Sequence, residues 1–144
     1  MIFLIVASIL FLDQLVKFFA LSWLELNHPV ILIKNFFNLT LVYNRGAAFG
    51  MFKNQLFFFV VISVVVIPLI VYHLKNKKNS RLINIALALI LAGTLGNLID
   101  RLRFGFVVDF LDFRIWPVFN LADSAITIGA LLLTWQLWGR KNVS

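Results

Sequence analysis

Residues 55–73, QLFFFVVISVVVIPLIVYH, contain no Asp, Glu, Lys or Arg. A helix of that length covers about 30 Å, the thickness of a bilayer's hydrocarbon core, which takes roughly 17–25 apolar residues to cross. Three other runs meet the same requirement: residues 2–23, 82–99 and 121–138. Pro68 falls inside the second run, which membrane helices tolerate. The predicted fold class is an all-α membrane protein of four transmembrane helices, built as a single integral-membrane domain over residues 1–144.

The composition agrees. The chain is 62% hydrophobic and 13% charged, against about 45–50% and about 25% for a soluble domain. Its net charge of +7 does not point to nucleic acid, because no basic groove is interleaved with exposed aromatics. The cations lie between the apolar runs, as in membrane proteins. The absence of cysteine excludes disulfides, Cys-ligated zinc and a thiol nucleophile. His28 and His73 lack metal-ligand spacing, so no metal site is expected. The first run carries a small-x-small pattern at Ala20-Leu21-Ser22. It lacks a basic leader, however, and Asp13 and Lys17 interrupt it, so it reads as a retained helix and not as a cleaved signal.

Orientation follows from the loops. KNKKNSR, residues 75–81, is dense in cations, and the tail carries Arg140 and Lys141. The positive-inside rule puts both in the cytoplasm. With four spans, both termini are then cytoplasmic, and residues 24–54 and 100–120 face outward. The outer segment 24–54 has β-branched and aromatic residues broken by Asn and Gly, which predicts short strands lying on the outer surface. Gly46, Gly50 and Gly105 permit bends.

Against this background the polar residues stand out. Asp13 and Lys17 sit one helical turn apart and predict an ion pair facing the bundle. Gly93, Gly96, Asn97 and Asp100 share one helical stripe, its glycines open to a close neighbour. Asn120 is placed to cap the fourth helix, with Asp123 in its first turn. The stretch 106–124, FVVDFLDFRIWPVFNLADS, gathers Asp109, Asp112 and Asp123, half of the six acidic residues. Two neighbouring carboxylates can share a proton, one activating water while the other polarises a carbonyl. Spacing alone leaves Asp100, Asp109 and Asp112 all open as the partner of Asp123. Neither His lies in this connection, so a Ser/His/Asp set is disfavoured. A different reading makes Asp13, Lys17, Asp100 and Asp123 the relay of a non-enzymatic ion or proton carrier subunit. A relay should cross the bilayer, whereas this polar stripe collects at the outer face.

Taken together, DQLVK (13–17), NRGAAFG (44–50), GNLIDR (96–101), VVDF (107–110) and FNLADS (119–124) resemble the lipoprotein signal peptidases, the signal peptidase II family of bacterial membrane aspartic peptidases. The resemblance implies four transmembrane helices with a small β-cradle on the outer face, formed mostly by 24–54. It implies residence in the bacterial cytoplasmic (inner) membrane with the active site near the outer face. The implied activity is removal of the signal peptide from diacylglyceryl-modified prolipoproteins, just before the lipidated cysteine. It assigns the catalytic pair to Asp109 and Asp123, and substrate-binding positions to Asn44, Asn97, Arg101 and Asn120. Asp13, Lys17 and Asp100 match supporting positions. Membrane lipids and globomycin-type cyclic-peptide inhibitors are the further implied partners, with no metal, cofactor or nucleic acid. The connection between the two aspartates looks shorter here than in many members.

Overall fold

A computed structural model describes residues 1–46, 56–76 and 78–141. The elements run α1 (Ile2–Trp23), β1 (Val30–Ile33), β2 (Phe37–Asn44), α2 (Leu56–Leu74), α3 (Arg81–Phe104), β3 (Val107–Asp112) and α4 (Leu121–Lys141). All four helices are long and apolar enough to cross a membrane. The expected start of α2 at Gln55, the bend at Gly50, the second half of the NRGAAFG motif, and Lys77 lie outside the described residues.

α1 has the bounds its composition predicts, and α2 continues through Pro68. α3 is longer than the expected 82–99. Asp100 and Arg101 are polar, but Asp100 faces the interior, where it is 1% exposed, so the helix has no reason to stop there. It stops at Gly105, whose φ of +76° is readily adopted only without a side chain and whose N–H bonds the Arg101 carbonyl. At its other end the Ser80 hydroxyl accepts from the Ile83 N–H, a side-chain N-cap. α4 likewise extends beyond residue 138, to Lys141.

α3 is the central helix. Its small residues set how closely its neighbours approach. A Cβ on Gly93 would collide with the Ala122 carbonyl of α4, and one on Gly96 would lie 2.5 Å from Asp13 Oδ2 of α1. The stripe read from the sequence is thus a packing face against both helices. Further along α3, Ile83, Leu87 and Leu91 bury against Ile70 of α2 in a purely apolar cluster. Outward-facing side chains are apolar as lipid requires; Phe3, Phe57 and Trp135 are each more than three-quarters exposed.

The strands form one antiparallel sheet in the order β1-β2-β3. Two of them come from the 24–54 segment, as expected. The third, β3, comes from the connection between α3 and α4. Its side chains alternate: Val108 and Phe110 bury with Leu41 and Ala20, which turns Asp109 to the opposite face. β1 is exposed at all four positions, Val30 to Ile33.

Candidate active site

Strand register and a returning loop bring the candidate residues together. Val42 pairs with Asp109 and Asn44 with Val107, so Asn44 is the diagonal neighbour of Asp109 on the same face. Beyond β3 the chain turns back, and Phe119 pairs with Leu111 through both backbone bonds. That return delivers Asn120 and the start of α4 beside Asp109. The α4 terminus is a reciprocal cap: Asn120 Oδ1 accepts the Asp123 N–H at 2.9 Å, and Asp123 Oδ2 accepts the Asn120 N–H at 3.3 Å.

Each carboxylate oxygen of Asp109 and Asp123 accepts one hydrogen bond. Asp109 Oδ1 takes Asn120 Nδ2 at 2.6 Å, and Oδ2 takes Asn44 Nδ2 at 2.9 Å. Asp123 Oδ1 takes Asn97 Nδ2 at 2.7 Å, while its Oδ2 is the cap acceptor. The three amides cannot be turned around, because each carbonyl is held by a group that only donates. Asn44 Oδ1 accepts the Gly46 N–H, Asn97 Oδ1 accepts Lys17 Nζ, and Asn120 Oδ1 accepts the Asp123 N–H. The NH2 groups must therefore face the carboxylates. Asn120 Nδ2 also reaches Asn97 Oδ1 at 3.2 Å, closing the network between the two aspartates.

The electrostatics are those of a coupled pair. Burial pushes the Asp109 carboxyl up to about 7, and the charge of Asp123 pushes in the same direction; the bonds from Asn44 and Asn120 and the charge of Lys17 oppose this. Near neutrality such a pair holds one proton. The Arg101 guanidinium stands within electrostatic reach of both aspartates, donates to the Asn97 carbonyl at 3.4 Å, and lies 4.9 Å over the Phe59 ring of α2.

Beneath the pair lies a second polar layer. Lys17 Nζ meets Asp13 Oδ2 at 2.9 Å, Asp100 Oδ2 at 2.8 Å and Asn97 Oδ1 at 3.0 Å, using all three of its donors. The expected Asp13–Lys17 pair is present, but it is part of a triad with Asp100. Gln14 Nε2 adds a bond to Asp100 Oδ1 at 3.0 Å. Asp112 stands apart. Its carboxylate accepts the Thr40 hydroxyl and the Arg114 backbone N–H. Partial burial raises the Asp112 carboxyl, but those bonds outweigh it and leave it below the usual range.

A cavity of about 260 Å³ opens onto this network, lined by Asn44, Phe59, Asn97, Arg101, Trp116 and Asp123 among others. A neighbouring cavity of about 520 Å³ shares Trp116, Phe119, Asp123 and Thr127 with it, and adds Phe113, Ile115 and Ile128. One cavity is thus partly polar and the other mainly apolar, and both meet at Asp123. The structure unites Asn44, Asn97, Arg101, Asn120, Asp109 and Asp123 in one network and leaves Asp112 outside it. Phe59, Trp116 and Gln14 were not singled out from the sequence. Only Gln14 gave a signal there, as a polar residue between Asp13 and Lys17 in an apolar run.

The signal peptidase (SPase) II family profile matches residues 5–139. The chain belongs to the signal peptidase II family. It is 46% identical to the lipoprotein signal peptidase of Halothermothrix orenii over 143 residues, 99% of each chain. It is 51% identical to that of Caldanaerobacter subterraneus subsp. tengcongensis over 130 residues, 90% of each chain. Among solved structures, a bacterial membrane enzyme determined by the in meso method at 2.3 Å resolution superposes with a TM-score of 0.91 at 33% identity, covering 97% of this chain and 88% of that one. The peptidase reading therefore stands on the family, and the carrier-subunit reading does not.

Proposed function

We propose that this chain is a membrane endopeptidase of the two-aspartate type. It removes the signal peptide of diacylglyceryl-modified prolipoproteins by cutting just before the lipidated cysteine. The observation that carries the reading is the pairing of Asp109 and Asp123 through amides whose polarity leaves them only donating. One carboxylate is ionised and activates a water; the other, protonated, donates to the scissile carbonyl oxygen. The fully buried Asp109, held up to about 7, suits the protonated role. Asp123 lines both cavities and suits the water-activating role. Arg101 and the Asn44 and Asn97 side chains then hold the substrate backbone along the polar cavity.

The mainly apolar cavity on the other side of Asp123 suits the substrate's acyl chains, which tether the scissile bond at the membrane surface. Globomycin-type cyclic peptides would occupy the polar cavity and compete with substrate there. The catalytic scheme uses no metal. The chain sits in the bacterial cytoplasmic membrane with both termini inside, and residues 24–46 and 105–120 on the outer face. The exposed apolar strand β1 and the exposed Ile115 and Trp116 rest on the lipid surface there.

The test is cleavage of a purified prolipoprotein by the purified chain. A diacylglyceryl-modified substrate should yield a product whose first residue is the lipidated cysteine, identified by mass spectrometry. Equal cleavage of the unmodified precursor, or cleavage at another bond, contradicts the substrate assignment.

A further inference from the structure

The two supporting carboxylates do the same thing on opposite sides of the site. Asp100 Oδ2 accepts the backbone N–H of Val108, the residue immediately before Asp109, at 3.1 Å. Asp13 Oδ1 accepts the backbone N–H of Ala122, the residue immediately before Asp123, at 2.8 Å. Lys17 joins these two carboxylates, and so does Gln14, whose Nε2 lies 3.0 Å from Asp100 Oδ1, 3.3 Å from Asp13 Oδ2 and 3.3 Å from the Gly96 carbonyl. We propose that Gln14 and Lys17 are positioning residues of the dyad: with Asp13 and Asp100 they form a strut from β3 to α4 that sets the separation of Asp109 and Asp123. The inference rests on the reading of that pair as catalytic.

A purely structural lysine needs one buried partner. A second carboxylate leaves the buried group with net negative charge, which is costly in a low-dielectric interior. Here each carboxylate also holds a backbone N–H at one end of the dyad. The Ala122 N–H is one of the first-turn donors that a helix cannot satisfy within itself, and a side chain from α1 takes it. Close approach is built in, because only glycine at position 96 leaves room for Asp13 Oδ2. The third Lys17 donor holds the Asn97 carbonyl and so keeps the Asn97 NH2 on Asp123. Strut and network thus grip both aspartates at the backbone and at the carboxylate.

The variant that tests this is Gln14→Met in the full chain, similar in length and without the donor; Gln14→Ala is read in the same way. Lys17 and its charge stay in place, so the fold should hold, with the apparent Tm lowered by about 3–12 °C for the lost bond to a charged group. KM for a diacylglyceryl prolipoprotein should stay within about twofold, while kcat falls about tenfold or more, the scale of a small misplacement of reacting groups. The alkaline limb of the pH profile should move to lower pH. Asp109 lies within electrostatic reach of Asp123 from α4, Lys17 from α1 and Arg101 from α3; of these only the distance to Asp123 is expected to grow, which weakens their coupling. Unchanged kcat and limb overturn the proposal, as does a kcat loss matched by lost folded protein with the limb unmoved. Asp109→Asn serves as the control. If it cleaves normally, the dyad reading fails and takes the strut with it; if it is dead while both Gln14 variants behave as wild type, the strut alone fails.

Discussion

Replacing Lys17 by Met removes the cation that bridges two carboxylates that are 0% and 1% exposed. Each also accepts a backbone N–H, and Gln14 bonds to both, so some stabilisation remains. Breaking a buried ion pair by removing one partner typically costs about 3–5 kcal/mol. For a chain of this size that corresponds to a fall in apparent Tm of roughly 6–20 °C. The assay is thermal unfolding of wild type and variants in one detergent at one scan rate, since membrane proteins often unfold irreversibly. Rescue separates a pair from a triad. If Lys17 served Asp13 alone, Asp13→Asn in the Lys17→Met background would restore most of the loss. The triad predicts less than half, because Asp100 remains unpaired, and near-complete recovery only when Asp100→Asn is added. A Lys17→Met protein with wild-type Tm, or full rescue by Asp13→Asn alone, would refute the energetic reasoning.

Asn120→Ser keeps a side-chain cap for α4 but is too short to reach Asp109 Oδ1. Stability should hold within about 1 kcal/mol, the net worth of one neutral hydrogen bond, while kcat falls about 10–100-fold, the scale of misplaced reacting groups; equal kcat would remove Asn120 from the network. Because Asp109 must be protonated to donate, and its carboxyl sits up to about 7, kcat/KM should decline as pH rises through neutrality, with an apparent value belonging to the pair. A rate that stays level well above neutrality contradicts the assignment. For topology, an impermeant thiol reagent outside intact cells should label Asn35→Cys and spare Asn76→Cys; the reverse pattern inverts the orientation.

The four spans were legible because lipid demands long, mainly apolar runs, and each such run became a helix. The polar stripe on α3 and the Asn120 cap were legible because helical spacing and capping chemistry are local. Strand β3 was not. VVDFLD has six residues in a uniformly greasy chain, so alternation carries no contrast, and its strand character emerges only when Val108 and Phe110 meet Leu41 and Ala20. The early end given to α3 has a related cause. Asp100 reads as an interfacial residue until its partner, Lys17, arrives from another helix. The amide polarities, the Phe59–Arg101 contact and the strut through Gln14 are tertiary for the same reason: each joins residues far apart in the chain. The choice of Asp109 over Asp112 came from motif resemblance. The geometry supplies a physical ground for it, since Asp112 is spent on Thr40 and the Arg114 backbone.

The most direct test of the central claim is the cleavage rate of the three aspartate variants of this stretch, each as purified, folded protein with a diacylglyceryl prolipoprotein. Asp109→Asn and Asp123→Asn should each lose on the order of 10³-fold or more, and the double variant should be scarcely worse than either, because groups acting as one unit are not additive. Asp112→Asn should keep most of the activity. Near-normal cleavage by Asp109→Asn, beside a folded and inactive Asp112→Asn or Asp100→Asn, would contradict the account.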